Sequence, residues 1–143
     1  MKVLIENEAG SYTKHLYDEQ AFHLKSTRTV RRAYPFPYGF IIGTHSSDGM
    51  CLDCFLLTRT FIPSGDIVNA EPIAMFEQIE DDKEDHNILA ILPGERFEMT
   101  ADVESTLREF VLNVFADVPG KSMRVGRFMH KDAALKLIQA SRR

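Results

Sequence analysis

The sequence has no apolar run close to the roughly 20 residues that span a bilayer. Its start, MKVLIENEAG, is too short and turns polar too soon for a secretory signal. The expected location is the cytoplasm, with no membrane partner. Basic residues are not in excess. Lys and Arg number 17 against 21 Asp and Glu, a formal net charge of −4. A general nucleic-acid binder would show the opposite balance, so no nucleic-acid partner is expected. A negative protein can still hold an anion where metal ions stand between the two. Cysteine is scarce: Cys51 and Cys54 are the only two, written CLDC. Tetrahedral zinc needs four ligands, and there is no second C-x-x-C. The apolar FLLTRTF follows at once, so CLDC opens a strand, where residues three apart face opposite sides. Two reduced, semi-buried thiols are expected. Repeats, low-complexity tracts and linkers are missing too.

What remains is one domain's worth of chain. The 143 residues are 44% hydrophobic and 27% charged, enough to bury a core without staples. The first two-thirds alternates short β-like runs with turns. Strands are expected at Lys2–Glu6, Gly39–Gly43, Leu52–Thr60, Ile67–Gln78 and Asn87–Leu92, and turns at 46–49, 63–66 and 93–94. Pro72 makes its strand bent, bulged or an edge. The last third changes period. Val103, Leu107, Phe110, Val111 and Val114 recur at helical spacing, predicting a helix over Ala101–Ala116 with Thr100 as N-cap. VPGKS (118–122) ends it, Met123–Phe128 reads as a last strand, and Asp132 caps a helix through Ala140. The expected fold is mainly β (α+β): an OB-type five-stranded barrel with two peripheral C-terminal helices.

Chemistry concentrates in three places. EQIEDDKEDHN (77–87) carries six carboxylates in nine positions. Such a run is either a solvated hairpin loop or a site for hard cations, which relieve the repulsion and accept oxygen ligands. Asp48 sits in a turn, where Asp is common for backbone reasons. Asp53 interrupts an apolar strand, where a carboxylate is costly unless paired or bound to metal. In RRAYPFPYGFIIGTHSSDG, two prolines hold the chain extended, Tyr34 and Tyr38 bracket them, and Gly39 permits close approach. Upstream, Lys14, Arg28, Arg31 and Arg32 could grip phosphate or simply solvate the surface. Carboxylates on one side and cations on the other suit metal-assisted phosphoryl transfer.

These segments, in this order, resemble the soluble (family I) inorganic pyrophosphatases. The likeness runs from VLIE (3–6) to ILP (91–93), through YPFPYGFI, SSDGMCLDCFLL and GDIVNAEPIAMFEQIEDDKEDHNILAILP, and more loosely into the C-terminal helix. The resemblance implies Mg²⁺-dependent hydrolysis of inorganic diphosphate to phosphate, with Mn²⁺ as a possible substitute. It implies that Asp48, Asp53 and Asp85 hold the principal ions, that Glu80 holds another, and that Glu6 lies near the outer one. Lys14, Tyr38 and Arg28, or Arg31 in its place, would contact phosphate. A homo-oligomer is implied as well.

Against that pattern the chain departs in one direction. Met50 stands where the family has the aspartate thought to activate water, and a thioether neither takes a proton nor binds Mg²⁺ well. Asn113 and Val114 align with a Tyr-Lys pair that grips phosphate. Asn87 aligns with a lysine and Leu16 with a carboxylate. The metal-holding frame is mostly kept while the base and several phosphate donors are thinned. The alternative is a catalytically weakened relative that binds metal and a phosphate or diphosphate ligand without efficient turnover. An OB-type interaction domain for single-stranded nucleic acid or oligosaccharide is a third reading.

Overall fold

A computed structural model describes residues 1–143. It contains ten strands and two helices, mainly β and of the expected OB type. The strands are β1 (Lys2–Asn7), β2 (Thr13–Tyr17), β3 (Leu24–Thr29), β4 (Tyr38–Ile41), β5 (Asp53–Leu56), β6 (Ile67–Asn69), β7 (Glu71–Glu80), β8 (Lys83–Glu84), β9 (Asn87–Ile91) and β10 (Met123–His130). The helices are α1 (Ala101–Asn113) and α2 (Lys131–Ser141). The main sheet runs β10-β7-β9-β5-β4-β1-β6, with β8 paired to β7 alone. The hairpin β2-β3 forms a second, two-stranded sheet.

Strands β5 and β9 are parallel neighbours at the middle of the sheet. Their near-continuous apolar runs follow from burial on both faces. Side chains alternate along each strand. Cys54, Leu56, Ile88, Ala90 and Met75 enter one core, closed by Ala134 and Ile138 of α2. Phe55, Leu57, Leu89, Ile91, Ala74 and Phe76 enter the other, closed by Leu107, Phe110 and Val111 of α1. The two helices therefore cover opposite faces.

Local differences from the expected elements have local causes. The run 67–78 divides at Ala70, whose N–H bonds to Met1 O, into β6 and β7. Pro72 cannot donate to the ladder, and the register with β9 slips between Pro72 and Ala74, the expected bulge. The run 52–60 stops early because Thr58 turns the chain, its Oγ1 accepting from Thr60 N–H. Helix α1 begins at the expected Thr100 cap, whose Oγ1 accepts from Val103 N–H, but ends three residues early, in turns that carry PGK. The hairpin β2-β3 was not expected: every residue of β3 is exposed, so LKSTRT carries no alternation of burial to read. Cys51 and Cys54 are both free and buried, in different clusters.

A candidate phosphate and metal site between the sheet and helix α1

The alternation that sorts the core also builds the site. Positions 53, 55 and 57 share the α1 face of β5, so Asp53 projects beside Phe55 and not beside Cys54. Cross-strand register sets Asp53 opposite Asn87 of β9, and Asn87 opposite Phe76 of β7. On β7, Gln78 and Glu80 continue the face that Phe76 occupies. Tyr38 of β4 pairs with Phe55. These side chains end at one cavity of about 270 Å³, roofed by the last turn of α1.

Six carboxylates line this cavity: Glu6, Glu19, Asp48, Asp53, Glu80 and Asp85. Only two lysines answer them, Lys14 and Lys121. Asp53 keeps part of its surface open to the cavity but lies deep. Burial first, then the charge of Asp85, pushes its carboxyl well above the ordinary carboxylate range. Asp85 is raised too, chiefly by burial, while its hydrogen bond with Asp53 pulls the other way. Gln78 steadies Asp85: its Nε2 donates to Asp85 Oδ2 at 3.4 Å, and its Oε1 accepts from Asn87 Nδ2 at 2.7 Å. Glu6 is buried, and desolvation lifts its pKa to about 7, against a smaller lowering by the N–H of Tyr17 that bonds to Oε2 at 3.0 Å.

The other expected residues divide. Asp48 is exposed at the cavity rim, and its Oδ1 accepts from Ser46 Oγ and from Met50 N–H at 2.9 Å, the turn role that Asp often plays. Glu80 Oε2 lies 3.3 Å from Lys121 Nζ. Lys14 reaches the cavity, its Nζ 5.8 Å from the centroid of Tyr38 and 5.6 Å from that of Phe115. Arg28 does not line the cavity, but its guanidinium carbon sits 5.4 Å from Phe115 at the outer edge. Arg31 points elsewhere, its Nε 4.0 Å from Asp117 Oδ2. Met50 and Leu16 both line the cavity, as does Val114, whereas Asn113 bonds back to Glu109 O. As placed, no three acidic side chains gather closely enough to coordinate one ion together.

The acidic run proves to be both things that its composition allowed. Glu80 and Asp85 face the cavity. Asp81 and Asp82 form the tight β7-β8 turn with φ of 50° and 66°, and Glu77 faces outward to Arg127. Sequence reasoning missed Glu19, whose carboxylate accepts from Cys51 N–H at 3.1 and 3.2 Å, and Gln78. It also missed Lys121. The first two carry no local signal. For Lys121 the only cue was a lysine inside the helix-ending turn.

The donor set fits a hard divalent cation. All of its charged donors are carboxylate oxygens, their charge exceeds that of the lysines, and the buried Asn87 Oδ1 has no hydrogen-bond partner. The fold and the site together define a mainly β protein with a carboxylate-rich cavity faced by lysines. Comparison with known proteins gives the narrower class. The pattern describing the inorganic pyrophosphatases matches residues 3–143, and the chain belongs to that family. An inorganic pyrophosphatase of Aeropyrum pernix is 26% identical over 137 residues, 87% of this chain and 78% of the relative. One of Sulfolobus acidocaldarius is 33% identical over 93 residues, 64% of this chain; the match spans about half (54%) of that relative's length. In fold, the chain superposes on an inorganic pyrophosphatase from Coxiella burnetii with a TM-score of 0.91 at 24% identity, covering 99% of this chain and 92% of that one. No helix is long and apolar enough to cross a membrane.

Proposed function

We propose that the protein hydrolyses inorganic diphosphate to two phosphates with Mg²⁺. The observation that carries this reading is Asp53: a deep carboxylate beside Asp85, in a cavity where acids outnumber lysines six to two. Asp53, Asp85 and Glu6 would hold the divalent ions, and Asp48 and Glu80 would join them by turning from their present partners. The bound ions would neutralise phosphate charge and acidify a bound water. Lys14 would take a phosphate oxygen as a point charge, and Tyr38 would donate a hydrogen bond from its hydroxyl. The hydroxyl proton is firmly held, because burial raises the Tyr38 pKa well above its ordinary value. Arg28 would close the outer side, since Arg31 is turned to Asp117. Mn²⁺ would substitute for Mg²⁺. A homo-oligomer in the cytoplasm completes the reading.

The test is phosphate release from diphosphate and Mg²⁺. Asp53→Asn is expected to lower it by at least about 10²-fold, the lower range for a group acting directly in the transition state. Equal release by wild type and variant would dismiss the reading. One observation favours a weakened version. Met50 occupies the cavity rim, 44% exposed, with a side chain that cannot accept a proton. A general base typically supplies about 10²–10⁴-fold. Met50→Asp is therefore expected to raise turnover by an order of magnitude or more if the base is what the chain lacks. Binding of Mg²⁺ and diphosphate without any turnover in wild type would establish the weakened reading.

A further inference from the structure

Lys121 reaches the site from an unexpected direction. It belongs to the PGKS turn between α1 and β10, not to a strand of the cavity. That turn is fastened to the β7-β8 turn by a reciprocal pair of bonds. Ser122 N–H donates to Asp81 Oδ1 at 2.8 Å, and Asp81 N–H donates to Ser122 O at 2.9 Å. The register continues with Met123 opposite Glu80. The backbone at Lys121 is thus held above the cavity end of β7. Its side chain is 24% exposed, low for lysine, and its Nζ lies 4.9 Å from the centroid of Phe115.

Phe115 thereby carries three cations. Lys14 Nζ stands 5.6 Å from the ring centre, Arg28 Cζ 5.4 Å and Lys121 Nζ 4.9 Å. An aromatic face attracts each of them, but the three repel one another. Of the three, only Lys121 has a carboxylate partner within salt-bridge distance, Glu80 at 3.3 Å. A part-exposed ion pair of this kind contributes little to stability. Held this way, the ammonium stays extended beside the cavity instead of escaping to water. A polyanion entering between the three cations would relieve their repulsion and gain a charge-assisted hydrogen bond from each.

We propose that Lys121 grips a phosphate group of the bound diphosphate, as the partner of Lys14 across the Phe115 ring, and that Glu80 holds it ready until the divalent ions bind. This assignment rests on the diphosphate reading of the site.

Calorimetric titration with methylenediphosphonate, a diphosphate that cannot be hydrolysed, in excess Mg²⁺ tests this. Lys121→Met is expected to weaken binding by about 10–100-fold, the loss of one charge-assisted hydrogen bond. Lys121→Arg should stay within a few-fold of wild type, and all variants should melt within a few degrees of it. The double variant Lys121→Met, Glu80→Gln separates gripping from mere neutralisation. It is expected to bind no more tightly than Lys121→Met, since the Glu80 change can only take away a metal donor. Recovery of wild-type affinity in the double variant would overturn the proposal, because Lys121 would then only screen Glu80. So would unchanged affinity in Lys121→Met while wild type binds, a result that leaves the diphosphate reading standing. A wild type that binds no methylenediphosphonate overturns both together.

Discussion

Glu6 shows how one residue can couple the site to stability. It ends the run VLIE, where three apolar neighbours place it in the sheet interior, 5% exposed. Unfolded, its carboxyl titrates near 4.5; folded, burial raises this to about 7. Between those values the native state keeps a proton that the unfolded chain has already released. Stability therefore falls as pH climbs through this window, and stays lower above it. The difference between the two values corresponds to about 3 kcal/mol at most. Glu6→Gln keeps an oxygen for the Tyr17 N–H and removes the charge. In buffer with a metal chelator, the variant should match wild type near pH 4.5 and exceed it near pH 8 by up to about 3 kcal/mol. Denaturant titrations at the two pH values check this, and an advantage that does not grow with pH would contradict it.

At the level of elements, the site depends on how closely β4 can approach β1. Gly39 pairs with Ile5, and a Cβ added there would lie 1.7 Å from Leu4 O and 2.8 Å from Leu4 C. Both atoms are backbone, so no rotamer change can make room. Strand β4 carries Tyr38 on one side of this contact and Phe40 on the other, and Tyr38 sits with Phe55 at a centroid distance of 4.8 Å. Gly39→Ala must push the strands apart and carry Tyr38 away from the cavity. A loss of about 3 kcal/mol or more is expected, at the upper end of overpacking costs. Thermal melting and soluble yield measure it, and a variant as stable as wild type would show that the strands yield more easily than backbone contact allows. Pro35 and Pro37 contribute from the other side by holding the approach to β4 extended.

For the whole molecule, the consequence is that the cavity's charge is a burden to the fold until a cation shares it. Six carboxylates drawn from four separate stretches of chain face one another with two lysines between them. A divalent ion that binds only the native arrangement raises its stability by linkage, about 2.7 kcal/mol at a hundred times the dissociation constant. For a domain of this size that corresponds to a melting temperature higher by roughly 5–10 °C. Mg²⁺ or Mn²⁺ should thus raise the melting temperature over a chelator control, and Asp53→Asn should remove most of the rise. An equal response in wild type and variant would place the ions elsewhere.

What could be read from the chain alone was whatever leaves a local trace. Asp53 was legible because a carboxylate amid LDCFLL has no cheap place to go. Helix α1 was legible from its 3.6-residue period and the Thr100 cap. Helix α2 was legible as a helix, but its N-cap is His130 and the expected Asp132 lies in its first turn. The strands were legible from runs bounded by Gly, Pro and Asp. The hairpin β2-β3 was not, because an exposed strand has no burial alternation. Nor were Glu19, Gln78 and Lys121, whose surroundings are polar turns and strand ends common to any protein. Tertiary structure decided which members of the acidic run turn inward: strand parity sends Glu80 to the cavity and Glu77 to Arg127, and a tight turn spends Asp81 and Asp82. It also decided which cations meet the carboxylates, because β2 and the turn after α1 lie about a hundred residues apart in sequence and join only around Phe115. Local patterning can specify an element and its buried face; the company a side chain keeps across elements is set by register and packing.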